Sequence, residues 1–157
     1  EEYFPVPLKS MGAKFNFIQP SENELSINGS VIRVIKQNHP GDSYGYRIDD
    51  NGKACVFCTD LEHGESVLPE IVEFCTGADI LVHEAQYTTA QLKENLGWGH
   101  SSFEQAIEVA QRAGVKKLVI THHDPDHNDA ILAKYEKECQ EIFPNCVFAR
   151  EGMELEA

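Results

Sequence analysis

The chain has 157 residues, enough for one domain that buries about two-thirds of the surface its unfolded form exposes. Hydrophobic residues make up 41% and charged residues 25%, which excludes a disordered or fibrous chain. Thirteen basic against 26 acidic residues give a formal charge of −13, which argues against long nucleic acids and anionic membranes as partners. The five cysteines are odd in number and irregularly spaced (Cys55, Cys58, Cys75, Cys139, Cys146), so a reducing, cytoplasmic setting is expected rather than a disulfide framework. No apolar run approaches the ~18 to 20 residues that span a bilayer. The sequence begins Glu-Glu without a methionine and is expected to continue a longer chain.

Residues 1–14 carry Pro5, Pro7 and Gly12 and are expected to form an extended lead-in to a single, partial domain over 1–157. Strands are predicted at 14–18, 31–37, 44–48 and 54–59, the last two joined by the turn Asp49-Asp50-Asn51-Gly52. From Ser66 the period changes. Val67, Leu68, Ile71, Val72 and Cys75 fall on one helical face that Gly77 stops. A strand at 80–82 follows, then a helix opened by Ser101-Ser102-Phe103-Glu104, read as a capping box, with Ala106, Ile107, Val109, Ala110 and Ala113 on its buried side and Gly114 at its end. A strand at 118–120, a helix capped by Asp126 or Asn128, and a strand at 146–148 complete the series.

The chemistry sits where polar residues follow apolar strands. Asp60 comes directly after Val56-Phe57-Cys58-Thr59, His83 after Ile80-Leu81-Val82, and His122 after Val119-Ile120-Thr121. Strand ends in α/β folds place loop residues accurately along one sheet edge, so several metal-capable side chains delivered this way point to a shared site. Acids and histidines that merely begin solvated loops explain one such residue well and the set poorly.

Four blocks carry a resemblance: Asn38-His39-Pro40-Gly41-Asp42-Ser43-Tyr44-Gly45-Tyr46-Arg47-Ile48, Thr59-Asp60, Gly99-His100-Ser101-Ser102 and Thr121-His122-His123-Asp124-Pro125. In order and spacing they resemble the later motifs of metallo-β-lactamase-fold phosphodiesterases, such as the phosphoribosyl cyclic phosphodiesterases and, more distantly, ribonuclease Z. His39 and Asp60 are 21 positions apart and His100 and His122 are 22 apart. That spacing is similar to the compact phosphodiesterase branch, with no room for an RNA-gripping insertion between the first pair.

The resemblance implies an α/β (α+β) fold, the C-terminal half of an αβ/βα sandwich whose mixed sheet carries helices on its outer face. It makes His39 a ligand of one metal, Asp60 the bridging carboxylate and a catalytic group, and His122 a ligand of the other metal. Two divalent ions are implied, zinc or manganese, with iron possible, and imidazole plus carboxylate donors suit such cations. His100 would bind a phosphate oxygen or protonate the leaving alkoxide, as an imidazole titrating near neutrality can. Glu84, Asp124 and His83 are expected to support the ligands from behind. His123 is the alternative to His122, but alternation in extended chain lets only one of the pair face the metals. Cys55 and Cys58 fall on opposite strand faces and read as core thiols, His63 and His127 as solvated loop residues, and Trp98 as either a substrate-stacking lid or ordinary packing.

The family's HxHxDH motif is absent, and no HxH occurs anywhere in the sequence. The expectation is therefore a metal-dependent hydrolase that cleaves a small phosphodiester by a metal-bound hydroxide only when an N-terminal half is present, this chain alone being inactive. A sheet edge and face left open would be covered by that half, by a partner chain or by a second copy in a homodimer. The alternatives are a non-catalytic, metal-poor binding or regulatory module of the same fold, or a thioester or lactone hydrolase.

Overall fold

In the computed structural model, which describes Pro7, residues 10–15, Phe17 and residues 24–156, seven strands form one sheet in sequential order. The first four are antiparallel: β1 (Glu24–Ile27), β2 (Ser30–Gln37), β3 (Ser43–Asp50) and β4 (Lys53–Cys58). The last three, β5 (Ile80–Glu84), β6 (Lys117–Thr121) and β7 (Cys146–Phe148), run parallel to β4 and to one another. This is the expected mixed α/β sheet.

Local chemistry explains the hinges between elements. Asn51 and Gly52 both adopt positive φ, 47° and 77°, as the two-residue turn between β3 and β4 requires. Parallel neighbours need crossovers, supplied by α1 (Pro69–Cys75), by α2 (Thr89–Glu94) with α3 (Phe103–Ala113), and by α4 (Asp129–Ile142). Because the strand order advances one place at a time and crossovers share one hand, their helices fall on one side of the sheet. Asn128 caps α4, its side chain accepting the N–H groups of Ala130 and Ile131. The box that opens α3 lies one residue later than expected: Ser102 and Gln105 cap reciprocally. Ser101 is then free for another task, described below.

The core lies between the sheet and this helix layer. Val56, Cys58, Leu81, Leu118, Ile120 and Cys146 are fully buried there against Ile71 and Cys75 of α1 and Ala106, Val109 and Ala110 of α3. The other face carries the alternate residues. Val34, Tyr46, Phe57, Val82, Val119 and Val147 pair in one apolar row across six strands. Tyr46 and Phe57 in that row remain 46% and 38% exposed, so no helix among the described residues covers them. This agrees with helices on one outer face only.

Two short elements were not expected. The strand β1 has a largely exposed four-residue sequence, and α2 spans six residues behind a Thr88–Gln91 capping box. The strand expected at 14–18 falls partly outside the described residues; Lys14, Phe15 and Phe17 themselves are in no strand. Of the expected lead-in, the Ser10 N–H donates to the Pro7 carbonyl at 2.9 Å, and residues 1–6, 8 and 9 lie outside the described residues. No described helix is long and apolar enough to cross a membrane.

Candidate active site

The antiparallel-to-parallel change at β4 puts the loops after β2, β4, β5 and β6 at one end of the sheet. His39 sits in the first of these loops, Asp60 in the second and His122 in the last, while His100 precedes α3. Ligand atoms of His39, Asp60 and His100 all lie within 4.8 Å of one another. His122 Nε2 stands 4.0 Å from Asp60 Oδ1, and its ring stacks on His100 with centroids 4.8 Å apart. The structure thus brings together all four residues singled out in the sequence.

Backbone strain marks two of them. Asp60 (φ 57°) and His122 (φ 58°) are left-handed without being glycine, a conformation that costs energy and concentrates at functional positions. At His122 this turn, not strand alternation alone, aims the side chain at Asp60. His123 then points the other way and stacks on Phe148 at 5.0 Å, which keeps it out of the cluster.

Two buried glutamates hold the loops. Glu84 Oε1 accepts the N–H groups of Leu61 and Ser101 at 3.1 and 3.0 Å and faces His100 Nδ1 at 3.5 Å. The Ser101 hydroxyl donates to the Leu61 carbonyl at 2.5 Å, which fixes His100 beside the Asp60 loop. Glu62 exchanges hydrogen bonds with Asn38: its N–H donates to the Asn38 carbonyl at 2.8 Å, and the Asn38 amide donates to the Glu62 carbonyl at 2.9 Å. Its carboxylate accepts the N–H groups of Gly97 and Gly99. Glu62 is one of 26 acids, and its two-residue distance from Asp60 is the only sign of it that can be read from sequence.

Electrostatics divide the roles. The Glu84 carboxylate raises the pKa of His100, with Asp60 and Glu62 adding to the effect and partial burial opposing it. Burial pushes Glu84 itself upward, while His100 and the Leu61 N–H pull it back. A histidine that favours its proton is a poor metal ligand and a good acid, since a ligand must offer a free lone pair.

The other expectations divide. Glu84 stands beside His100 rather than behind His39 or His122, the expected ligands. His83 supports no ligand either: it is fully buried on the helix side, where its Nε2 meets His63 Nε2 at 3.2 Å and its Nδ1 meets the Glu84 carbonyl at 2.5 Å. His63 is therefore buried rather than solvated, and its Nδ1 accepts the Leu68 N–H. Burial depresses both pKa values, to about 3 for His63 and about 4 for His83, so the pair is neutral. Asp124 accepts the Asp126 N–H in its own turn instead of reaching a ligand. His127 is half-buried rather than fully solvated, its Nε2 meeting the Gln91 amide at 3.2 Å and its ring lying edge-on to Tyr135. Cys58 faces Cys75 inside the core, as a core thiol should, and Cys55 lies on the opposite face.

The donor set fits a divalent cation. An ion with bonds of roughly 2.0–2.2 Å needs donors about 3.4 Å apart in a tetrahedral shell. The His122 Nε2–Asp60 Oδ1 separation of 4.0 Å is wider than this, so an ion would have to draw the donors together. The imidazoles of His39 and His122 and the Asp60 carboxylate are donor types that zinc and manganese take.

The family described as beta-lactamase superfamily domain matches residues 11–123. The chain belongs to this superfamily. Among curated relatives, a ribonuclease Z from Parabacteroides distasonis is 38% identical over 157 residues, covering 98% of this chain and 45% of the relative. The chain thus spans about half the length of the curated relatives it matches. The metallo-β-lactamase-fold protein YhfI from Bacillus subtilis superposes with a TM-score of 0.69 at 25% identity, covering 87% of this chain and 53% of YhfI. A diphosphatase from the PhnP family shares the fold, with a TM-score of 0.66 at 18% identity over 88% of this chain and 47% of its own.

These matches correct two inferences. An alignment of 157 residues over nearly the whole chain leaves no place for a long insertion, so the His39–Asp60 spacing does not separate this chain from proteins named ribonuclease Z. Net charge does not exclude a nucleic acid in this family either, because a whole-chain sum says little about a site where cations gather.

Proposed function

We propose that the full-length protein is a metal-dependent phosphodiester hydrolase whose reaction centre includes His39, Asp60, His100 and His122. The observation that carries this reading is the convergence of these four side chains at one sheet end, two of them on strained backbone. His39, Asp60 and His122 would hold divalent metal, with zinc or manganese the candidates and two ions the expected number. Such ions supply Lewis-acid polarisation of a phosphoryl oxygen and a water of lowered pKa.

The chain's own groups supply the rest. Glu84 faces His100 Nδ1 at 3.5 Å and favours the protonated ring, and Nε2 would donate a proton to the departing alkoxide. Glu62 fixes the loop of His39 against the loop of Asp60 through its paired hydrogen bonds with Asn38. Asp60 supplies negative charge between the imidazoles, where cations are to be held. The donors present here complete no ion's coordination by themselves, and further ligands, such as an HxHxDH motif, would have to come from outside them.

The test is a substrate panel on full-length protein stripped with chelator and reloaded with Zn²⁺ or Mn²⁺. Bis-p-nitrophenyl phosphate and a cyclic ribose phosphate should be hydrolysed only after reloading. Thioester or lactone hydrolysis with inert phosphodiesters would overturn the reading, and protein that binds no metal and cleaves nothing would establish a non-catalytic module.

A further inference from the structure

Trp98 is the only tryptophan in the sequence and is 66% exposed. Its backbone, however, is firmly held. The Gly97 N–H donates to both oxygens of Glu62 at 2.9 Å, the Gly99 N–H donates to Glu62 Oε2 at 2.7 Å, and the Trp98 N–H donates to the Asn95 carbonyl at 3.2 Å. Glu62 is buried, so these charge-assisted bonds are shielded from water. Both flanking glycines have positive φ, 88° and 95°, which turns the chain sharply enough to project the indole between them.

This finger, Gly97-Trp98-Gly99, is also fixed relative to the candidate ligands. Glu62 is the residue whose backbone pairs with Asn38, next to His39. Gly99 touches the site directly: a Cβ there would fall 2.3 Å from His39 Cδ2 and 2.6 Å from Pro40 Cδ. Trp98 is two residues from His100, so their Cα atoms lie within about 7.6 Å. Among the described residues it stacks on no other ring, and most of its surface is open to solvent. A large flat apolar surface carried on a firmly held backbone beside a site suits a planar ligand group.

We propose that Trp98 is a stacking platform for a nucleobase of the substrate, which makes nucleoside phosphodiesters the substrate class. This rests on the phosphodiesterase reading of the same site.

The test uses full-length, metal-loaded protein with the dinucleotide ApA and a base-free cyclic ribose phosphate. Trp98→Ala should raise KM for ApA by about 5- to 30-fold with kcat within about twofold, leave KM for the base-free substrate unchanged, and be largely rescued by Trp98→Phe. An unchanged KM for ApA, or an equal rise for both substrates, overturns the proposal. If the wild type cleaves neither substrate, the phosphodiesterase reading fails, and binding then decides stacking alone. AMP, but not ribose 5-phosphate, should quench the part of the tryptophan fluorescence that Trp98→Phe removes; absence of that quenching overturns the platform.

Discussion

Substituting Gly99 by alanine puts a methyl group where His39 and Pro40 already are. The new Cβ would sit 2.3 Å from His39 Cδ2 and 2.8 Å from His39 Nε2, against roughly 3.5–4.0 Å for carbon atoms in contact. The His39 ring must therefore retreat by about 1 Å or the finger must unlatch from Glu62. Overpacking of this kind costs about 1–3 kcal/mol, and a side chain at φ 95° adds about 1–2 kcal/mol of backbone strain. Gly97→Ala is the internal control, because Gly97 has a similar φ of 88° but nothing within 4 Å of its Cβ position. Urea denaturation of the two variants should place Gly99→Ala below Gly97→Ala by about 1–3 kcal/mol. Turnover of Gly99→Ala should fall by about 100-fold, since a displacement of about 1 Å near the reacting atoms has that effect. Equal stabilities, with wild-type turnover in Gly99→Ala, would refute the claimed contact between the finger and His39.

Other predictions concern charge and packing. Removing the Glu84 carboxylate by Glu84→Gln should lower the His100 pKa, so the alkaline limb of the kcat–pH profile, where the acid loses its proton, should move to lower pH; a limb that stays in place contradicts the pairing. The His63–His83 pair has folded-state pKa values of about 3 and about 4, below the 6.5 of an unfolded histidine. The unfolded chain therefore takes up protons first, and stability is complete above pH 6.5 and lost as pH falls toward 4, by up to about 1.4 kcal/mol per pH unit per histidine. His63→Gln should flatten that slope between pH 7 and 5, as denaturation midpoints would record, and an unaltered slope would count against the neutral pair. Leu81→Ala, at a fully buried position facing the helix layer, should cost about 2–5 kcal/mol in the same assay.

Much of this architecture was legible because its strands are apolar runs ended by sharp turns. The Asn51-Gly52 hairpin, the Gly114 stop of α3 and the Asn128 cap of α4 follow from local chemistry that needs no tertiary partner. The segments that escaped notice lack such signals. The strand β1 reads Glu-Leu-Ser-Ile with a mostly exposed pattern and is held by pairing to β2, and α2 is too short to display a helical stripe. The four site residues stand out because three belong to loops at one sheet end and the fourth lies between glycine and a helix cap. Their supports do not stand out: Glu62 acts through residues 24 to 37 positions away, and the His63–His83 contact links residues 20 apart. Charge misled for a related reason, being a sum over the chain where the site is a local arrangement.

The central claim is that Asp60 and His122 are part of a metal-dependent hydrolytic centre. The most direct measurement is hydrolysis of bis-p-nitrophenyl phosphate by full-length Asp60→Ala and His122→Ala, with bound Zn and Mn quantified in the same samples. Both variants should lose metal, and activity should fall by at least about 100-fold while the fold is retained. Wild-type turnover with wild-type metal content in either variant would contradict the account.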